Sequence, residues 1–252
     1  MYSILVDVTK CTGCEQCVKA CIKANNLDAD KADYARAASI DGLSDNRLLS
    51  IIKIDRGRFV RKSCMHCLEP SCVSACLVGG ISKSADGPVI YDPDKCIGCR
   101  YCMLSCPFGI PRYEWSKTVP FMKKCQMCYS RLKENRLPAC VEACPNQAIV
   151  FGERNEMLKK AYQIINSNGD KYVQHVWGEK EFGGSSLLYI SDTELSEIGW
   201  KKQFKTGIPE LTEPLIEKTP IIGMGVASSL IGLNWLVRRK NKIAKEAKEN
   251  HE

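Results

Sequence analysis

Cys96-Ile97-Gly98-Cys99-Arg100-Tyr101-Cys102-Met103-Leu104-Ser105-Cys106-Pro107 is the stretch whose reading decides the fold. Its cysteines stand at C-x2-C-x2-C-x3-C-P, the spacing that holds an iron–sulfur cubane. A tight loop with two-residue spacings aims three thiolates into one small volume, where they meet three corners of a [4Fe–4S] cube. Cys106 is expected at the start of a helix aimed elsewhere, ligating a different cluster. Pro107 suits a first helical position, because its missing N–H costs nothing there.

Three further groups accompany it. Cys11, Cys14, Cys17 and Cys21 repeat the spacing, with Ile22 in place of the proline. Cys64, Cys67, Cys72 and Cys76 lengthen the middle spacing to four residues. Cys125, Cys128, Cys140 and Cys144, followed by Pro145, stretch it to eleven, a surface excursion that a partner protein could touch. The groups use all sixteen cysteines of the 252-residue chain. Disulfides are disfavoured, since cysteines this close would form very small loops. Each iron of a cubane takes one thiolate, so sixteen cysteines supply four [4Fe–4S] clusters without remainder. The lengthened groups leave room for one cluster to be [3Fe–4S]. Zinc is the rival metal, but zinc knuckles usually pair across a long spacer.

Residues 2–8, 48–54, 88–91 and 148–152 read as short strands, so strand, cysteine loop and short helix recur about four times. The natural grouping is two βαβ pairs, with residues 22–50 as a helix-and-loop insertion. Residues 153–163 read as an amphipathic helix and 187–190 as a strand after Gly183-Gly184; Pro209, Pro214 and Pro220 mark a linker. Residues 219–237 carry no charge and are long enough, at about 1.5 Å per residue, to cross a hydrocarbon core of roughly 30 Å. Gly225, Ser228, Ser229 and Gly232 would let another helix approach closely. The bland alternative is a buried helix of a soluble core.

Six basic residues follow that span (Arg238, Arg239, Lys240, Lys242, Lys245, Lys248), against Lys205 and Lys218 in the comparable stretch before it. The positive-inside rule then puts the tail in the cytoplasm and the cysteine-rich body on the other, periplasmic face of the inner membrane. A solvated helical end is the alternative. The N-terminus shows no signal-peptide pattern. Export would then need a partner with a twin-arginine signal; otherwise the body is cytoplasmic.

The net charge of +7 is weak support for an acidic partner or an anionic membrane surface. Basic residues are spread along the chain rather than gathered in a stripe, which argues against nucleic acid. No Ser–His–Asp set, paired-carboxylate cleft, phosphate-binding glycine loop or CxxCH haem site is legible, so turnover of a substrate by this chain alone is not expected. His66 is read as solvent-facing, with tuning of a cluster potential or a partner contact as the sharper reading. Arg56, Arg58, Arg61 and Lys62, and Lys123 with Lys124, are read as solvated faces, with offsetting of cluster charge as the alternative. Trp115 is read as packing.

With these residues placed, the chain resembles the four-cluster iron–sulfur subunits of membrane-bound respiratory oxidoreductases, which pair with a molybdenum or tungsten enzyme or a [NiFe] hydrogenase. The likeness is sharpest at Cys64-Met65-His66-Cys67, at the stretch quoted first with Phe108-Gly109-Ile110-Pro111, and at Pro138-Ala139-Cys140-Val141-Glu142-Ala143-Cys144-Pro145. Residues 177–184 and the lone C-terminal helix closed by Arg238-Arg239 resemble the hydrogenase-2 type subunit most, the formate dehydrogenase β subunit second. Leu77 departs from the pattern, standing where proline usually follows the last cysteine of group two.

The resemblance implies an α+β fold: two ferredoxin-like modules in residues 1–152, an extension and linker in 153–218, a single transmembrane helix in 219–237 and a basic cytoplasmic tail in 238–252. It also implies the ligand sets. Cys11, Cys14, Cys17 and Cys144 would hold one cube; Cys125, Cys128, Cys140 and Cys21 a second. Cys64, Cys67, Cys72 and Cys106 would hold a third, and Cys96, Cys99, Cys102 and Cys76 the fourth. The implied role is electron relay between a catalytic oxidoreductase subunit and an integral membrane quinone-reactive or cytochrome b subunit. The alternatives are a molybdopterin reductase subunit with reversed flow and, in another class, a zinc-binding tail-anchored interaction module.

Overall fold

Five of the six residues of strand β1 (Tyr2–Asp7) are buried, and it is the middle strand of a three-stranded sheet. The computed structural model describes residues 1–118, 120–200 and 205–249. After β1 come helices α1 (Gln16–Ala24) and α2 (Ala29–Ala38), then the hairpin β2 (Ser50–Lys53) and β3 (Phe59–Lys62). The middle of the chain holds α3 (Ser71–Ser74), β4 (Ile81–Lys83), β5 (Val89–Tyr91), α4 (Tyr101–Ser105), β6 (Arg112–Tyr113) and β7 (Met122–Lys123). The chain then runs through α5 (Tyr129–Lys133), α6 (Ala139–Glu142), β8 (Ile149–Glu153), α7 (Arg154–Ser167), β9 (Leu187–Ile190) and α8 (Ile208–Glu249).

Strand pairing makes two modules, one nested in the other. β1 pairs antiparallel with β8, Ile4 opposite Phe151, and α1 packs on α6, so the outer module joins sequence ends. β4 pairs antiparallel with β5, Ser82 opposite Ile90, and α3 packs on α4, forming the inner module. The recurrent strand–loop–helix unit is present, but the paired strands are antiparallel rather than the parallel ones of a βαβ unit: the halves of each module run in opposite directions. β9 adds to the outer sheet parallel to β1, Val6 opposite Tyr189, and α7 covers that sheet. Alternation along β1 serves two cores. Leu5 meets Met157, Ala161 and Ile165 of α7, while Ile4, Val6 and Val8 face the cysteine side.

Proline placement corrects the helix start expected at Cys106. α4 ends at Ser105 and α6 at Glu142, so Cys106-Pro107 and Cys144-Pro145 follow their helices. Proline bars the α conformation from the residue before it, and Cys106 is accordingly extended at φ −78°, ψ 113°. In the first group Ile22 imposes no such limit, and α1 runs through Cys21 to Ala24. The expected linker is helical too: Pro214 and Pro220 lie inside α8. Contacts divide the chain into residues 1–209 and 210–252. Trp115 is exposed rather than packed, with Arg100 over its ring at 4.5 Å.

Candidate iron–sulfur cluster sites

The same backbone kink occurs in all four cysteine loops. The residue before the second cysteine is left-handed in each: Gly13 (φ 73°), His66 (49°), Gly98 (70°) and Met127 (56°). The turn lets a two-residue spacer present both flanking thiols to one side. Glycine adopts it freely, whereas His66 and Met127 each carry strain of about 1–2 kcal/mol, held in place by full burial. A second kink follows the last cysteine by three residues, at Gly79, Gly109 and Gln147. Their N–H groups donate to the carbonyls of Cys76 (3.2 Å), Cys106 (3.1 Å) and Cys144 (3.2 Å).

Folding gathers the thiols across groups. Cys11, Cys14 and Cys17 share a cavity with Cys144. Cys125, Cys128 and Cys140 line another with Cys21, and Cys96, Cys99 and Cys102 a third with Cys76. Cys64, Cys67, Cys72 and Cys106 lie close enough that each of the other three raises the Cys67 thiol pKa, after burial as the main cause. All sixteen are free thiols.

This chemistry fits four-iron clusters. Burial pushes Cys17, Cys72 and Cys125 up to about 12, against the lowering by Arg61 at Cys17 and Cys125 and by Lys124 at Cys72, with neighbouring thiols adding to the rise. Among the described residues no three His, Cys, Asp or Glu side chains could hold a single metal ion. The thiols line gaps instead, as a cube requires and a lone zinc does not. Donors already point at sulfur: the N–H of Gly80 at Cys76 (3.2 Å), of Met127 at Cys125 (3.3 Å) and of Ile110 at Cys106 (3.5 Å). The quartets also influence one another in series. After burial, Cys140 contributes to the rise at Cys17, Cys64 to that at Cys125 and Cys102 to that at Cys72.

Several side chains are not where a solvated reading would leave them. His66 is fully buried, its Nδ1 accepting the Val89 N–H at 2.9 Å; burial, then Lys124, Lys83 and Arg61, hold its pKa well below the usual range, so it is neutral. Lys124 is buried and donates to the carbonyls of Val89 and Cys125. Arg61 is buried beside Cys140. Arg58 pairs with Asp192 and Lys62 with Asp41, whereas Arg56 is exposed. The charge runs they belong to gave no sign of this; at Arg61 the cover includes Tyr189 of β9, whose hydroxyl donates to the Arg61 carbonyl at 3.0 Å.

Residues 177–184 brace the second cysteine loop, a role not legible in advance. Buried Glu181 accepts the Gly178 N–H at 2.9 Å and contacts His175 Nε2, fixing the turn that leads to β9. From there Ser186 N–H donates to His66 O at 3.1 Å, Leu187 N–H to Met65 O at 3.2 Å, and Leu68 N–H to Gly184 O at 2.9 Å.

Known proteins share this pattern. Residues 56–154 and, in a second match, 3–77 correspond to a 4Fe-4S dicluster domain. Hydrogenase-2 operon protein HybA of Escherichia coli O157:H7 is 31% identical over 95% of this chain and 84% of its own length. The chain belongs to the 4Fe-4S dicluster family of iron–sulfur proteins. The B subunit of anaerobic dimethyl sulfoxide reductase from Escherichia coli K12 is 38% identical over 63% of this chain and 77% of its own. The iron-sulfur subunit of nitrate-inducible formate dehydrogenase from the same strain is 34% identical over 74% of this chain and 66% of its own. This dicluster protein is an iron–sulfur electron-transfer subunit, and its two such domains and sixteen cysteines are consistent with four [4Fe–4S] clusters.

Proposed function

We propose that the chain relays electrons through four cubanes between a catalytic oxidoreductase subunit and an integral membrane quinone-reactive or cytochrome b subunit. The nearness of each cysteine quartet to the next supports this reading, because a relay needs neighbouring carriers: Arg61 lines both of the first two cavities, Cys64 lies near Cys125, and Cys102 near Cys72. The ligand sets follow the gathered thiols: Cys11, Cys14, Cys17 and Cys144; Cys21, Cys125, Cys128 and Cys140; Cys64, Cys67, Cys72 and Cys106; Cys76, Cys96, Cys99 and Cys102. Hydrogenase or formate dehydrogenase type catalytic partners are favoured by the named relatives, with a reductase of reversed flow as the second reading, favoured by the dimethyl sulfoxide reductase relative.

Residues 219–237 are the single membrane span in this reading. They lie within α8, the one helix among the described residues long and apolar enough to cross a membrane, over Ile208–Ala244. Ser229 Oγ donates to Gly225 O at 2.8 Å, which satisfies its hydroxyl inside the helix. Arg239 lies over the Trp235 ring at 5.2 Å, an aromatic–cation pair suited to an interface. The basic end then faces the cytoplasm and the cluster body the periplasm.

Anaerobic purification from membranes, with iron and sulfide analysis and identification of whatever co-purifies, tests the proposal. About sixteen irons per chain are expected, four for each cubane. A nickel protein selects hydrogenase and a pterin protein formate dehydrogenase or a relative. Zinc without sulfide overturns the reading.

A further inference from the structure

Arg61 is the most anomalous charge in the fold. The residue is 1% exposed, and its Nε and Nη1 have no hydrogen-bond partner. An unpaired buried cation costs several kcal/mol, so such a group survives only where something negative compensates it. Among the described residues no carboxylate pairs with it. Its Nη2 lies 3.8 Å from Cys140 Sγ. It lines both the cavity of Cys11, Cys14, Cys17 and Cys144 and the cavity of Cys21, Cys125, Cys128 and Cys140.

The other buried cations near cysteines differ. Lys124 and Lys83 spend their N–H groups on backbone carbonyls, Lys83 reaching His66 O at 2.9 Å and Gly87 O at 2.5 Å. Arg47 has a carboxylate, Glu15, at 3.2 Å. Besides the Tyr189 hydroxyl, which burial pushes up to about 12 and so leaves neutral, the groups that favour the Arg61 charge are the thiols of Cys140, Cys125 and Cys17. Its place is set by β3, where it stands opposite Ile51, and its own carbonyl accepts the Tyr189 hydroxyl at 3.0 Å.

We propose that Arg61 is a cation shared by the first two clusters, donating N–H···S hydrogen bonds to both and raising both reduction potentials. The proposal rests on the cluster assignment above. A cube with four thiolates is dianionic when oxidised and trianionic when reduced, so a fixed cation between two cubes favours the reduced form of each. Arg61 keeps its proton throughout; only the electron moves. Guanidinium suits the task because its planar fork can address two sites at once without losing charge.

The test is a potentiometric titration followed by electron paramagnetic resonance, on the full chain isolated anaerobically with its partners, for the wild type, Arg61→Gln and Arg61→Lys. Arg61→Gln is expected to shift two of the four clusters to lower potential, those lost on Cys14→Ser or Cys128→Ser, and leave the other two in place. Arg61→Lys, which keeps the charge, should lie nearer the wild type. Loss of iron from those two sites in Arg61→Gln, with retention in Arg61→Lys, also supports the proposal. Unchanged potentials at full iron content, a shift common to all four clusters, or loss of iron in both variants overturns it. Absence of clusters from the wild type would overturn the cluster assignment instead, a distinct result.

Discussion

Asp41 and Arg112 meet across 2.7 Å, tying the long insertion after the first cysteine group to the inner module. Lys62 reaches the same carboxylate at 3.1 Å, and the Leu43 N–H donates to its other oxygen at 3.1 Å. Burial alone would raise this carboxyl's pKa, but Arg112, Leu43 and Lys62 together outweigh it and hold the value below the ordinary carboxylate range. A folded pKa below the unfolded one stabilises fully above the unfolded value, about 4, and the contribution is lost as pH falls through the folded value. Asp41→Asn should therefore cost about 1–2 kcal/mol at neutral pH and progressively less below about pH 4. Paired urea titrations of the two proteins read the difference directly. A gap that does not narrow in acid would rule out the ion pair as its source.

Two glycines should respond very differently to alanine. Gly178 has φ 89°, and an added Cβ would lie 2.2 Å from Leu187 O and 2.6 Å from Ser185 Oγ. Leu187 is the residue whose N–H holds Met65 in the second cysteine loop. Gly178→Ala should cost on the order of 3 kcal/mol or more, through backbone displacement as well as strain. Gly109 has φ 60° with nothing within 4 Å of the new Cβ, so alanine there should cost only about 1–2 kcal/mol of left-handed strain. Thermal midpoints of the two variants check the ranking, and equal losses would contradict it.

Glu181 should matter more to stability than its distance in sequence from any cysteine suggests. Its side chain is 2% exposed and serves both the Gly178 N–H and His175. Glu181→Ala strands that N–H in a buried place, an expected cost of about 2–4 kcal/mol. Limited proteolysis should show new cleavage in residues 177–184, and iron should be lost first from the site of Cys64, Cys67, Cys72 and Cys106. Loss from the other sites first would sink the bracing role.

The cross-group ligand sets make a prediction that contiguous sets would not. Cys21 shares its cavity with Cys125, Cys128 and Cys140, not with its sequence neighbours. Cys21→Ser should therefore perturb the same paramagnetic signal as Cys125→Ser and spare the one perturbed by Cys11→Ser. A shared signal for Cys21→Ser and Cys11→Ser would refute the pairing.

The cysteine spacing made the loops, their recurrence and the clusters legible, because thiol chemistry and local geometry travel together in a short motif. Sheet order was less accessible. Nesting of one module in the other depends on β1 finding β8 across most of the body, and no local pattern encodes that. The helix expected to start at Cys106 instead ends before it, because a proline after a cysteine can open a helix or close one, and here it closes it. Arg61, His66 and Lys124 read as surface residues, since a charge run carries no record of which member a neighbouring sheet will cover. Only the fold brought β9 over the second cysteine loop and Arg61 between two quartets.

The C-terminal helix supplies the last prediction. Its window of highest hydropathy is entirely unburied, and large apolar residues such as Ile221, Leu230 and Trp235 are more than half exposed. Full burial of such side chains is worth about 1.5–3 kcal/mol each, so a helix of this kind remains stable only against lipid or other helices. Residues 1–209, by contrast, form a unit with its own buried core. A chain ending at Gly207 should fold, retain its iron and move to the supernatant after alkaline carbonate extraction, whereas the full chain stays in the pellet. High salt should not release the full chain, because the proposed anchor is apolar and the basic residues after Val237 would only reinforce it. Release of the full chain by salt alone would assign the attachment to that basic tail. Retention of the truncated chain in carbonate would assign it to the cluster body.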